Sequence, residues 1–174
     1  MDPINLKNTL KQGGKVYGTM LWGIDSARLT SFLDSEYLDY AIIEAEHAPR
    51  TLYQINSMTT ALRNKNITSI VRITSPNPEI AGATIDAGAD GILVPYCEDI
   101  EELKLSFGRT YFNPLKGEYL KKVLDTGEFP SKKSEDYLRE KSKSRLFILG
   151  VESVPAVENL ENMINSVENI DGIF

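Results

Sequence analysis

Apolar residues return along this chain in two alternating rhythms. Short, dense runs such as Tyr40-Ala41-Ile42-Ile43, Gly91-Ile92-Leu93-Val94 and Leu146-Phe147-Ile148-Leu149 are bounded by polar residues and read as buried strands. Between them lie longer stretches whose apolar positions recur every third or fourth residue, the period of a helix packed on one face. Residues 1–14 predict a short amphipathic helix, with Leu6 and Leu10 on one side and Gly13-Gly14 closing it. A first strand spans 16–22. Asp25-Ser26 caps a helix through Glu36, carried by Ala27, Leu29, Phe32 and Leu33. The second strand begins at Tyr40, and a helix covers 51–65. The third strand is 67–73, followed by a helix that Ser75-Pro76-Asn77-Pro78-Glu79 opens and Gly88 stops. A fourth strand runs over 91–95 and a helix over 99–108. The pattern then blurs from 111 to 144 around Pro114, Gly117, Gly127 and Pro130, with one helix at 134–141. A fifth strand at 146–152, a helix at 154–166 and the first half of a sixth strand at 170–174 complete the series. Strict strand–helix alternation implies a parallel sheet with helices outside it, which a barrel and an open doubly wound sheet both satisfy.

The second strand ends unusually. Ile42-Ile43-Glu44-Ala45-Glu46-His47-Ala48-Pro49-Arg50 runs from apolar residues into two carboxylates and the chain's single histidine. Period-two alternation puts Ile42, Glu44 and Glu46 on one face and Ile43, Ala45 and His47 on the other. The bland alternative is a pair of solvated edge-strand carboxylates beside a loop histidine. Against it, ionisable residues also close the third strand, at Arg72, and the fifth, at Glu152. In an α/β barrel these strand ends form the active-site mouth, and three strands delivering charge to one mouth point to a site rather than to packing.

Composition narrows the function. The 174 residues are 41% hydrophobic and 25% charged, ordinary for one globular domain spanning 1–174. A net charge of −6 argues against nucleic acid or an anionic membrane as partner, since both reward clustered Lys and Arg. Cys97, alone, excludes an internal disulfide and fits a reducing cytoplasm. No apolar run approaches membrane length. No glycine-rich phosphate loop follows a strand, because Gly13-Gly14 precedes the first one. Cys97 has no base near it in sequence and reads as packing, and Trp22 reads as a core aromatic that could alternatively wall a pocket.

Taken together, Ile42 to Pro49, Val71-Arg72, Asp86 to Pro95, Val151-Glu152-Ser153 and Ile170-Asp171-Gly172-Ile173-Phe174 resemble, in order and over nearly the whole chain, the HpcH/HpaI aldolase family of the phosphoenolpyruvate/pyruvate barrel superfamily. The resemblance implies an (α/β)8 TIM barrel in the cytoplasm that reversibly cleaves a 4-hydroxy-2-oxo acid to pyruvate and an aldehyde. It implies His47 as base, Arg72 on the keto oxygen, and Asp86 as a carboxylate paired with the histidine. It also implies Glu152 as ligand of a divalent metal, Mg, Mn or Co, with Glu44 and Glu46 beside its water shell, and Gly150 and Trp22 near the substrate. Such chemistry suits the residue types: a fixed guanidinium and a cation stabilise an enolate, and an imidazole takes the hydroxyl proton. No lysine stands at a strand end to form a Schiff base. Asp86 precedes the fourth strand and so belongs to the barrel's floor. If it meets a His47, the two come from different subunits of a homo-oligomer with shared active sites; otherwise it is a plain surface carboxylate.

The chain departs from the family pattern at Glu44 (usually Asp), Ala45 (usually Gly) and Gly150 (often Gln), and the stretch 113–119 lacks the arginine that commonly follows its glycine. Family members continue beyond the equivalent of Phe174 into Gly-Pro-x-Asp-Leu-Ser, which carries a second metal carboxylate. The expectation is therefore a natural chain longer than this one, with the barrel cut after about six strands. Two other functions remain open: a CoA-thioester lyase of the same superfamily, and a non-catalytic barrel relative acting in binding or assembly.

Overall fold

A computed structural model of the chain describes residues 1–23 and 26–174. Among these, six parallel strands pair in sequence order, β1 (Gly18–Leu21), β2 (Tyr40–Glu44), β3 (Thr68–Arg72), β4 (Gly91–Val94), β5 (Leu146–Leu149) and β6 (Gly172–Ile173). Helices cover the outside: α1 (Pro3–Lys11) precedes β1, α2 (Leu52–Asn64) and α3 (Pro78–Asp86) flank β3, and α4 (Ile100–Tyr111), α5 (Gly117–Thr126) and α6 (Lys132–Ser142) follow β4. Two short helices, α7 (Val154–Glu158) and α8 (Leu160–Asn165), lie between β5 and β6. Neighbouring strands that are neighbours in sequence, all parallel, are the signature of a TIM-type barrel, here with six of its strands.

Side-chain parity separates two cores. Ala41, Ile43, Val71, Ile92, Val94, Phe147 and Leu149 face the helices and join Met58, Leu62, Leu103 and Phe107 in the larger one. Ile42, Ile70, Leu93 and Leu146 face inward and pack on Leu6 of α1, which plugs the floor. The sheet curls enough that Ile42 of β2 and Ile173 of β6 line a single cavity of about 210 Å³. Lys7 anchors the plug, donating to Tyr111 Oη at 2.6 Å and to the Arg145 carbonyl at 2.7 Å, 3.3 Å from Asp171 Oδ1. Because all strands run the same way, the ends of β2, β3 and β5 open at the face opposite this floor.

Several elements differ from the sequence reading. The helix expected from Asp25 to Glu36 is a six-residue 3-10 turn, Ala27–Phe32, and its cap at Asp25 lies outside the described residues. Ser26 and Asp34 side chains accept the Arg28 and Glu36 amides while Ser31 donates to the Arg28 carbonyl, diverting backbone groups from helical bonding. Phe32 consequently points to solvent. Helix α4 does not stop at Gly108, a packing glycine whose added Cβ would lie 2.9 Å from Leu120 and Leu124 methyls. The blurred region holds two helices instead of one. Gly127, at φ 71°, is the left-handed cap that ends α5, so a residue read as a breaker closes a helix. The last expected helix divides at Asn159.

Candidate active site

At the open face, parity and register deliver four ionisable side chains to one place. Glu44 ends β2 on the inner face, directly opposite Arg72 at the end of β3. Arg72 Nε donates to Glu44 Oε2 at 2.5 Å, and both residues are buried, Glu44 completely. The other oxygen, Glu44 Oε1, accepts the backbone N–H groups of Glu46 and His47, each at 2.8 Å. One carboxylate therefore both neutralises the guanidinium and folds the chain into the turn that carries the imidazole.

Glu46 follows Glu44 onto the same side. Its Oε2 is buried and makes no hydrogen bond, lying 3.3 Å from Arg72 Nε and 3.5 Å from His47 Nε2. At those separations it acts as a charge between two cations or potential cations. Its burial without a partner marks a polar atom that a bound group or a protonated imidazole would satisfy. The His47 side chain is 56% exposed. Among the described residues the Arg72 guanidinium makes hydrogen bonds through Nε alone, so its two terminal nitrogens are available to hold an anionic or carbonyl oxygen. The Phe174 ring, which also lines the apolar cavity, has its centroid 6.0 Å from the Arg72 guanidinium carbon.

Trp22 is not a core aromatic: it is 53% exposed, and its ring centroid is 5.9 Å from that of His47. It stands just beyond β1, and the strand's buried anchor is Leu21. Arg50, which sequence reasoning passed over, closes the turn by donating from Nε to the Glu44 carbonyl at 2.6 Å and from a terminal nitrogen to the Leu21 carbonyl at 3.1 Å. Its position after Pro49 and before the Thr51 cap of α2 was the available signal. Tyr96, also missed, takes φ 44° just past β4, a conformation uncommon outside glycine, and its N–H points to Glu152 Oε1 at 3.4 Å.

The family model of the HpcH/HpaI aldolase/citrate lyase family matches residues 19–174. The chain belongs to this family. It is 24% identical over 172 residues to the hydroxypyruvate/pyruvate aldolase of Roseovarius nubinhibens, covering 97% of this chain and 64% of that one. It is equally 24% identical over 172 residues to the 4-hydroxy-2-oxo-heptane-1,7-dioate aldolase of Salmonella paratyphi C, with coverages of 97% and 63%. An HpcH/HpaI aldolase crystal structure from Desulfitobacterium hafniense superposes with a TM-score of 0.76 at 23% identity, covering 97% and 64% of the two chains. The chain thus spans less than two thirds of the length of these relatives.

Other residues expected from the HpcH/HpaI resemblance fall in different surroundings. Glu152 lies just beyond β5 at the same face as Arg72 and is exposed. A divalent cation of the Mg or Ca type takes several oxygen ligands. Among the described residues no three His, Cys, Asp or Glu side chains converge to hold one, and Glu44, expected beside a metal's water shell, has both oxygens committed. The described residues do not by themselves fit a divalent ion. Gly150 has no room for a side chain, since a Cβ would lie 2.7 Å from the Val94 carbonyl oxygen and 2.8 Å from Glu152 Oε1. Asp86 ends α3 at the opposite, floor side, exposed, and accepts from Asn113 Nδ2 at 2.6 Å. Cys97 is fully buried, and burial pushes its thiol up to about 12. No helix among the described residues is long and apolar enough to cross a membrane.

Proposed function

We propose that the protein is a carbon–carbon lyase cleaving a 4-hydroxy-2-oxo acid, reversibly, to pyruvate and an aldehyde. The observation that carries the reading is Arg72, a buried guanidinium at the end of β3, held through Nε by Glu44 and with no hydrogen bond from its terminal nitrogens among the described residues. As the C3–C4 bond breaks, its electron pair moves onto C3 and the keto oxygen becomes the enolate oxygen. A cation already fixed and desolvated stabilises that oxygen without reorganising. His47 takes the proton of the C4 hydroxyl as C4 becomes a carbonyl, and returns a proton to C3 to complete pyruvate. Glu46 lies within reach to stabilise the imidazolium formed in between. In this reading Trp22, whose ring centroid lies 5.9 Å from that of His47, forms part of the substrate pocket wall.

Pyruvate release from a panel of 4-hydroxy-2-oxo acids tests the proposal. Turnover that Arg72→Met reduces by two orders of magnitude or more supports it. Turnover unaffected by Arg72→Met or His47→Gln would refute the assigned roles. Metal dependence belongs to the same assay: full activity after exhaustive chelation would leave enolate stabilisation to Arg72. A role for Asp86 requires the floor of one protomer to meet the mouth of another, so an Asp86→Asn protein that is monomeric and fully active would remove it.

A further inference from the structure

We infer that Arg50 is a positioning residue that sets the imidazole of His47 against the indole of Trp22. This rests on the lyase reading for its catalytic meaning but not for its geometry. The guanidinium reaches two backbone carbonyls from different strands: Glu44 O at 2.6 Å, where β2 ends, and Leu21 O at 3.1 Å, where β1 ends. A planar fork of N–H donors is suited to holding two carbonyls at a fixed spacing. The residues immediately beyond these anchors are the ones that matter. Trp22 follows Leu21 directly, and the turn Ala45-Glu46-His47 follows Glu44. Inside that turn the Glu46 and His47 amides already point at Glu44 Oε1, so the turn's shape is set by Glu44. Its placement relative to β1 is set by Arg50, the bridge from Glu44 O to Leu21 O.

Half-exposed groups make this bridge consequential. Trp22 and the His47 side chain are both more than half exposed, so apolar burial does little to hold either one. Yet their rings lie 5.9 Å apart at an interplanar angle of 33°. The chain has one tryptophan and one histidine, so the pair reports on itself without labelling. A protonated imidazole in contact with an indole quenches its fluorescence. Among the described residues the charged groups facing His47 are Glu46, at 3.5 Å, and Arg72 beyond it, and neither is altered in the test.

The experiment is a fluorescence titration of the protein over the range in which histidine ordinarily changes charge, roughly pH 5 to 8. Wild type is compared with Arg50→Gln, Arg50→Lys and His47→Gln. The expected result is an acid quench of Trp22 that His47→Gln abolishes and Arg50→Gln removes for the most part. Arg50→Lys, whose single ammonium replaces the two-pronged fork, should retain an intermediate quench. In the pyruvate-release assay Arg50→Gln should lower kcat about tenfold, the size of one hydrogen bond to a charged group, with a smaller change in KM. Circular dichroism confirms that each variant is folded, and if Arg50→Gln is not, Arg50→Lys decides the matter. A full quench amplitude in a folded Arg50→Gln protein would overturn the inference. Loss of the quench in a protein that shows no lyase activity would uphold Arg50's role while removing the lyase reading.

Discussion

Replacing Glu44 by Gln isolates what the buried carboxylate contributes. The amide oxygen can still accept the Glu46 and His47 N–H groups, so the turn keeps its bonds. The amide nitrogen must then face Arg72 Nε, donor against donor, where a 2.5 Å charge-assisted bond stood. If Glu44 and Arg72 were a surface pair, the loss would be under about 1 kcal/mol. They are 0% and 7% exposed, which puts them in the regime where removing one partner of a buried ion pair costs roughly 3–5 kcal/mol. Glu46 Oε2, 3.3 Å from the same nitrogen, can take over part of the charge and brings the expectation to the lower end, about 3 kcal/mol. For a chain of this size that is roughly a 6–12 °C fall in Tm. Chemical denaturation with an unchanged m-value measures it directly. Adding Arg72→Met to Glu44→Gln removes the stranded cation, so the double variant should be more stable than the sum of the single losses predicts by about 0.5–3 kcal/mol. A Glu44→Gln loss below about 1 kcal/mol, or strictly additive single losses, would refute the view that this pair is a desolvated unit.

Alkaline stability should carry the mark of Cys97. The folded protein keeps a thiol proton up to about 12 that an unfolded chain releases near 9.0. Stability is therefore fully present below the lower value and falls by about 1.4 kcal/mol per pH unit as pH rises between the two. Cys97→Ala should flatten that slope in denaturation measured from pH 8 upward, and an unchanged slope would show that the thiol is not held protonated. The Tyr111 hydroxyl, also raised by burial and by Asp171, adds a loss above about pH 10 that Cys97→Ala leaves in place. Gly150→Ala should both destabilise, by the roughly 1–3 kcal/mol of an overpacked site, and displace Glu152, since the new methyl meets the backbone of β4 as well as that carboxylate. A folded Gly150→Ala protein with unaltered melting would show that β5 can retreat from β4.

Much of this protein is written in its periodicities. The alternation of dense apolar runs with three-to-four-residue repeats determines a parallel sheet with helices outside. Period two along β2 determines that Glu44 leaves the strand on the inner face, and the order of ionisable residues at and just past the strand ends brings Glu44, Glu46, His47 and Arg72 to one mouth. These are local properties, because side-chain direction along a strand follows from the backbone alone.

What a strand end meets across the sheet is a different matter. Only the register of β2 against β3 decides that Glu44 meets Arg72 and that its second oxygen holds two amides. Only packing shows that Gly108 admits Leu120 and Leu124, where the sequence suggests a helix stop. Trp22 looks like core in the chain and lies half exposed in the fold, because β1 ends one residue earlier and the indole stands beside His47. The same chemistry that fixes the direction of each side chain is silent on its distance from residues far along the chain. That distance comes from closing the sheet, which brings Arg50, Leu21 and Glu44 together across nearly thirty residues.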